Sequence, residues 1–146
     1  MSKEYYAPMH TAEHVLNQTM VRMFNCGRSF SNHIEKKKSK CDYRFSRNLT
    51  AEEILAIEQN VNSVLSSGLE VREEFIDRNI AENLFDLGRL PDESGDRIRI
   101  IRIGDYDACP CSGNHVINTS EVSDFKIIST SFEDNILRIR FRIEGK

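Results

Sequence analysis

The stretch RIRIIRI, at residues 97–103, sets arginines between branched apolar residues. A second stretch, LRIRFRI at residues 137–143, repeats the pattern. Such alternation is typical of strands that bury one face and leave the other in water. We therefore expect two strands whose arginines face outward. Shorter strand candidates are YRFS at 43–46, LEVRE at 69–73 and FKIIS at 125–129.

Three other segments have apolar residues at helical spacing. The first is predicted to run from His10 to Phe24 and to stop before Gly27, a residue suited to a left-handed helix end. Its expected buried face consists of Ala12, Leu16, Met20 and Met23.

The second predicted helix begins at a capping box formed by Thr50 and Glu53 and is closed by Gly68. In such a box the two residues satisfy each other's free backbone N–H groups. The expected buried stripe of this helix consists of Ile54, Ile57, Val61 and Val64.

The third predicted helix covers residues 76–87, buries Ile80 and Leu84, and ends at Gly88. Helices on one side and arginine rows on the other predict an α+β fold, a two-layer sandwich of helices on a mainly antiparallel sheet. A chain of 146 residues is long enough for one hydrophobic core. We therefore expect residues 1–146 to form a single domain.

Composition limits the function. An apolar content of 39% with mixed charge is typical of a folded soluble protein and not of a disordered one. The net charge of −3 is not that of a general nucleic-acid binder, so any such contact needs a local basic patch. The dense basic cluster is Lys36, Lys37, Lys38 and Lys40. It is either a solvated loop or a surface that meets phosphate.

The compartment follows from what the chain lacks. It has no apolar run suited to a signal peptide or to a membrane span, so a cytoplasmic protein without membrane contact is expected. In that reducing setting four cysteines favour metal binding or thiolate chemistry, with inert burial as the alternative. The cysteines are Cys26, Cys41, Cys109 and Cys111.

Two short motifs combine scarce histidines and cysteines. HTAEH places His10 and His14 one helical turn apart, and CSGNH repeats the four-residue spacing with Cys111 and His115. Three nitrogens and one sulfur form a ligand set that zinc accepts. The alternative is that His10 and His14 cap the helix or pair locally, while Cys111 is a buried small apolar residue. Cys109 is the nearest competing ligand.

The order of residues in HTAEH differs from the HExxH motif of zinc peptidases. In HExxH the glutamate follows the first histidine and acts as the general base. Glu13 instead precedes His14, and we expect it to point elsewhere on the helix. A peptidase would therefore lack its base. His33 is expected to be an ordinary polar residue.

HTAEHVL followed by GDYDACPCSGNHV resembles the editing domain of alanyl-tRNA synthetases and its free-standing AlaX-type relatives, which carry HxxxH and CxGxHV. The related second additional domain also occurs in threonyl-tRNA synthetases. YRFS with LTAEEILAIEQNVNSVL, GDRIRIIRIGDYD and DFKIIS extend the resemblance, in order, over nearly the whole chain.

The resemblance implies zinc at His10, His14, Cys111 and His115. It also implies ATP-independent hydrolysis, in trans, of the ester joining a wrong amino acid, serine or glycine, to the acceptor end of alanine tRNA. A monomer or weak homodimer is expected. Alternatives are another aminoacyl ester as substrate, or a non-catalytic RNA-binding module held together by zinc.

Candidate pocket residues are Thr11, Ser39 and Asn114. For the hydroxyls of Thr11 and Ser39, the alternative is a purely structural hydrogen bond. Candidate tRNA contacts are Lys36, Lys37, Lys38 and Lys40. The sequence departs from the family where Ser112 and Asn114 replace the first glycine and the threonine of CGGTH. It departs again where Lys36 and Lys38 replace the glutamine and glycine of a Gln-x-Gly-Ser element, so the preferred amino acid stays open. The role of zinc also stays open: it could activate water, bind the substrate's amino group or organise the pocket.

Overall fold

A computed structural model describes residues 6–85 and 96–144. Helix α1 is Ala7–Phe24, α2 is Ala51–Ser66 and α3 is Arg78–Leu84. The strands are β1 (Ser31–His33), β2 (Ser39–Arg44), β3 (Val71–Asp77), β4 (Arg97–Ile103), β5 (Asp107–Pro110), β6 (Asp124–Glu133) and β7 (Ile136–Glu144). The expected α+β class with mainly antiparallel strands is confirmed.

The strands form two antiparallel sheets, whereas the sequence predicted one. The four-stranded sheet has the order β1-β2-β7-β6, and the three-stranded sheet has the order β3-β4-β5. The two arginine-alternating stretches lie in β4 and β7, and each is an inner strand of a different sheet. Alternation reports which face of a strand is buried but carries no information about its neighbours, so it could not separate the sheets.

The arginines of β7 share one face of the strand as predicted, whereas in β4 the consecutive Ile100 and Ile101 break the alternation and place Arg99 and Arg102 on opposite faces. Several of these arginines are paired. Arg138 on β7 makes a two-pronged contact with Asp42 on β2, with N···O distances of 2.7 and 2.9 Å. Arg102 on β4 contacts Glu74 on β3 at 2.6 Å. These pairs join neighbouring strands within each sheet.

Helix α1 is enclosed over most of its length. Every residue from Met9 to Asn17 is buried, including the polar ones. The predicted apolar face is confirmed at Ala12, Leu16 and Met20, with Met23 only partly buried. The helix ends at Asn25, whose φ of 54° provides the left-handed stop expected of Gly27.

Helix α2 begins as predicted. The Thr50 hydroxyl accepts from the Glu53 N–H at 3.1 Å, and the Glu53 carboxylate accepts from the Thr50 N–H at 2.9 Å. The fully buried positions of the helix are Ile57, Val61 and Leu65, while Ile54 and Val64 are partly buried. Gly68 follows the helix end with a positive φ of 70°.

The prediction for the third helix is wrong in two respects. Ile76 belongs to β3, and the helix spans only Arg78–Leu84. Ile80 and Leu84 are 52% and 64% exposed, and the buried residue of the helix is Ala81, which packs on the inner face of β4. A helix of seven residues, about two turns, has too few apolar positions for spacing alone to determine its buried face. Gly88 lies outside the described residues.

Among the described helices, none has the length and apolar character needed to cross a membrane.

Replacing Thr50 by alanine should lower the free energy of unfolding by about 1 kcal/mol, because an orphaned helix N–H loses its acceptor. Urea denaturation followed by circular dichroism measures the change. Ser63→Ala is the matched control, since Ser63 is an exposed position inside the same helix. Equal stability of the two variants would contradict a stabilising capping box.

Candidate metal centre

The four predicted ligands come together in space. His10 and His14 project from α1, while Cys111 and His115 belong to the loop that follows β5. One ligand atom from each residue lies within 4.8 Å of all the others, so the cluster could hold a metal ion. The two halves of this cluster lie 97 to 105 positions apart along the chain, and the fold closes that gap.

The spacing of the donor atoms fits a small tetrahedral ion. Cys111 Sγ lies 3.4 Å from His10 Nε2 and 3.5 Å from His115 Nε2. Zinc–sulfur and zinc–nitrogen bonds at a tetrahedral angle would separate sulfur from nitrogen by about 3.5 Å. The residues therefore fit zinc in both their chemistry and their spacing.

The far side of two imidazoles is fixed by hydrogen bonds. His10 Nδ1 donates to the carbonyl oxygen of Asn114 at 3.0 Å, because a carbonyl can only accept. Thr11 Oγ1 lies 2.9 Å from His115 Nδ1 and accepts from the Val116 N–H at 3.3 Å. Contacts of this kind fix the ring orientation and present Nε2 as the ligand atom.

A buried carboxylate supports the third imidazole. Asp107 Oδ2 lies 3.6 Å from His14 Nδ1, and its Oδ1 accepts from Arg28 at 2.6 Å and from Gln18 at 2.9 Å. Burial opposes ionisation of Asp107, but the contacts with His14 and Arg28 outweigh it and hold the pKa of this carboxyl well below its usual range. The sequence analysis missed Asp107 and Arg28. The available signal was the aspartate in GDYDACPC, four residues before Cys111.

The loop that carries Cys111 is held from the three-stranded sheet. Arg99 on β4 donates through Nη1 to the carbonyl oxygens of Cys111 and Gly113, at 2.9 and 2.7 Å. The same guanidinium contacts Glu73 on β3 at 2.6 Å. An arginine predicted only to face solvent therefore positions the metal-binding loop.

The surroundings of Cys111 favour the thiolate form of its side chain, which is the form that binds metal. Burial raises the pKa of its thiol, but hydrogen bonds from His10, His115 and His14 dominate and lower the pKa to about 2. Burial and the nearby charge of His14 lower the pKa of His115 to about 3. A thiolate and a neutral imidazole are the forms in which these residues bind metal.

Glu13 does not point away from the site, and that prediction is wrong. Its side chain is buried, and its Oε1 lies 3.8 Å from His10 Nε2 and 3.9 Å from His14 Nε2. Residues three apart on a helix are neighbours on its surface, so Glu13 shares the side of α1 that carries His10. The carboxylate therefore belongs to the site even though the HExxH order is absent.

A cavity of about 580 Å³ opens beside the candidate ligands. Its polar lining includes Glu13, Asn17, Arg28, Ser29 and Asn32, and its apolar lining includes Phe30 and Ile34. The cavity also reaches the CPCSG segment, residues 109–113. Clefts of this size are typical of small-ligand sites.

The three candidate pocket residues lie around this cavity without appearing in its lining. Thr11 is fully buried behind His115, and Asn114 is exposed but contributes its backbone carbonyl to His10. Ser39 is buried and bonds the backbone of Glu35 at 3.0 and 3.2 Å. Of these three, Asn114 bonds a lining residue, His10, whereas Thr11 and Ser39 bond His115 and Glu35, which lie outside the lining. Direct contact of any of them with a substrate stays a prediction.

The lysine cluster lies on the turn between β1 and β2. Lys36, Lys37 and Lys38 are exposed, and Lys40 is partly buried at the start of β2. The turn follows Asn32 and Ile34, which line the cavity. The cluster is therefore close along the chain to the cavity wall.

The remaining cysteines and His33 lie outside the four-residue cluster. Cys109 lines the cavity, and burial raises the pKa of its thiol, which makes it a poorer ligand than Cys111. Cys41 is buried in the core and Cys26 is partly buried. His33 is exposed and pairs with Glu35.

Comparison with known proteins identifies relatives of this chain by sequence. Residues 98–143 match the family model of the threonyl and alanyl tRNA synthetase second additional domain. The chain is 31% identical over 123 residues to an alanine--tRNA ligase of Ligilactobacillus salivarius, covering 84% of this chain and 14% of that protein. Another alanine--tRNA ligase, from Methanococcus maripaludis, is 31% identical over 140 residues, covering 90% of this chain and 15% of that protein. The chain thus spans 14–15% of the length of these relatives.

Purified protein should hold about one zinc per chain, since the cluster provides four suitable donors. Elemental analysis of His10→Ala and of Cys111→Ala should show loss of most of that metal. Cys26→Ala, a thiol outside the cluster, is the matched control and should retain it. Metal-free parent protein, or full occupancy in Cys111→Ala, would contradict the assignment.

Proposed function

Because this chain belongs to the alanyl-tRNA synthetase editing-domain family, we propose that it is a zinc-dependent hydrolase that removes a wrongly attached amino acid from tRNA in trans. The proposed substrate is alanine tRNA charged with serine or glycine. The observation that carries the proposal is that the candidate metal-binding cluster adjoins the 580 Å³ cavity, which three of its four residues line: His10, His14 and Cys111. The connection to alanine and tRNA comes from the relatives, which are alanine--tRNA ligases.

The residues fit the chemistry that this reaction needs. An aminoacyl ester is already activated, so its hydrolysis depends on a positioned water and on stabilisation of the developing oxyanion. A zinc ion bound by His10, His14, Cys111 and His115 would supply Lewis acidity or hold the reacting group in place. Arg99 and Asp107 keep the ligands in position from outside the cluster.

The cavity lining is suited to a small polar side chain. Asn17, Ser29 and Asn32 present amide and hydroxyl groups, and Ser29 hydrogen-bonds Asn32 within the cavity wall. A site that hydrogen-bonds a substrate hydroxyl rejects an analogue that lacks it, because the protein's own polar groups are then left unpaired. This favours serine over alanine as the amino acid removed.

The lysine cluster is the proposed contact for the tRNA backbone. Phosphate contacts provide most of the sequence-independent affinity for nucleic acid, and an acidic chain must concentrate them locally. The exposed Lys36, Lys37 and Lys38 lie on the turn that continues from the cavity wall. A tRNA end held there would bring its terminal ester toward the metal-binding residues.

Serine-charged alanine tRNA should be deacylated faster than the correctly alanylated form, measured as loss of labelled amino acid over time. Glycine- and threonine-charged tRNAs complete the panel. Cys111→Ala should abolish the activity together with the metal. Equal rates for serine and alanine would contradict a proofreading role, and binding of tRNA without turnover would favour the non-catalytic module.

Neutralising Lys36, Lys37 and Lys38 to glutamine should weaken tRNA binding and flatten its dependence on salt, with zinc content unchanged. Each lost phosphate contact should reduce the slope of log affinity against log salt by about 0.7 to 0.9. Filter binding at several salt concentrations measures this slope. Lys126→Gln, an exposed lysine on β6, is the control. Unchanged binding in the triple variant would mean that tRNA contacts another surface.

A further inference from the structure

Glu13 is a buried carboxylate that the proposed reaction has not yet used. It lines the cavity, and its Oε1 lies 3.8 and 3.9 Å from the Nε2 atoms of His10 and His14. Burial of an ionised carboxylate is unfavourable unless charged or hydrogen-bonding partners compensate it. The placement of this group therefore calls for a partner for each oxygen.

One oxygen has a fixed partner inside the protein. Glu13 Oε2 accepts from the side-chain amide of Asn17. The orientation of that amide is set in turn, because Asn17 Oδ1 accepts from the Ser29 N–H at 2.7 Å. These two hydrogen bonds fix Glu13 Oε2 on the side of Asn17 and leave Oε1 on the side of the histidines.

Glu13 Oε1 has no arginine or lysine within ion-pair distance among residues 6–85 and 96–144; the nearby nitrogens belong to His10 and His14. With three neutral imidazoles and the Cys111 thiolate, a bound zinc ion would give the ligand cluster a net charge of about +1, and Arg28 on the same cavity wall adds positive charge from a greater distance. These charges favour the ionised carboxylate without bonding to Oε1. Because Glu13 lines the cavity, a cationic hydrogen-bond donor that enters the cavity can reach this oxygen.

The substrate class proposed above carries such a cation. An aminoacyl ester has a free α-amino group next to the reacting carbonyl, and α-amino groups have pKa values of about 7.7–8.0, so a large share is protonated at neutral pH. The metal-binding residues would adjoin the ester, and Glu13 adjoins two of them. The carboxylate is thus placed beside the position where an α-ammonium group would lie.

We propose that Glu13 is a specificity-determining residue whose Oε1 binds the α-ammonium group of the aminoacyl ester. This inference rests on the proposed deacylase function and deepens it. It restricts the substrate to esters with an unmodified α-amino group and excludes N-acylated esters, such as those of peptidyl-tRNA. The carboxylate would also align the ester carbonyl, because the α-carbon connects the two groups directly.

The test compares seryl-tRNA with the ester of 3-hydroxypropanoic acid, which is serine without its amino group and adds no bulk. The parent should prefer seryl-tRNA in kcat/KM by about 10- to 100-fold, the range expected for a hydrogen bond to a charged group. Glu13→Gln, which keeps the side-chain shape, should lower that preference to near unity. Glu74→Gln, on a strand that does not line the cavity, should behave like the parent.

Two further measurements separate the roles of Glu13. Zinc content should be the same in Glu13→Gln and the parent, and loss of metal in parallel with activity would overturn the proposal in favour of a metal-ligand role. Calorimetry with a non-hydrolysable adenosine 3′-amide of serine, and with its counterpart lacking the amino group, measures recognition without turnover. The parent should bind the serine amide more tightly, and Glu13→Gln should bind both equally.

These outcomes distinguish the two proposals. If the parent shows the calorimetric preference but hydrolyses no aminoacyl-tRNA, the proposed function fails and the ammonium site stands. If the parent deacylates seryl-tRNA but Glu13→Gln retains the full preference for the amino group, the function stands and the role of Glu13 is overturned. Failure of the parent to bind either amide would overturn the ammonium site.

Discussion

The enclosure of α1 is the constraint on which the rest of the structure depends. From Met9 to Asn17 the helix has no solvent-facing side, so its polar residues must be satisfied within the protein. His10, Thr11 and Glu13 find partners in the loop after β5, in the opposing histidine or in the next turn of the helix. An amphipathic surface helix would have left the same residues in water, where they would form no site.

The same enclosure makes the fold and the site interdependent. The loop that carries Cys111 is held by Arg99 from the three-stranded sheet and by Thr11 from α1. Asp107 on β5 connects His14 to Arg28, which lies beyond the end of α1. The three-stranded sheet, a helix and a loop thus converge on one cluster. Removing any of these connections would leave a buried polar group without its partner, which costs more than an ordinary hydrogen bond contributes.

Local patterns in the sequence predicted much of this arrangement, and long-range packing determined the rest. The alternation in β4 and β7, the capping box at Thr50 and the spacing of His10 and His14 each depend on residues within one turn or one strand. The two-sheet division, the burial of Ala81 in place of Ile80 and the inward position of Glu13 depend on which elements pack together. The contact between Asp107 and Arg28 could not be predicted for the same reason, since 79 positions separate these partners along the chain.

Positive and negative charges are separated at the candidate site, which the net charge of the chain does not show. The chain is acidic overall, yet its dense basic cluster lies on the exposed β1–β2 turn, while the Glu13 carboxylate lines the cavity that lies close to this turn along the chain. An aminoacyl-tRNA end has the opposite order of charges, with phosphates along the backbone and an ammonium group at its tip. In the arrangement we propose, phosphates meeting Lys36 and its neighbours and an ammonium group meeting Glu13 would favour a single orientation. The ester lies between those two charged parts of the substrate, so this orientation would bring it to the metal-binding residues.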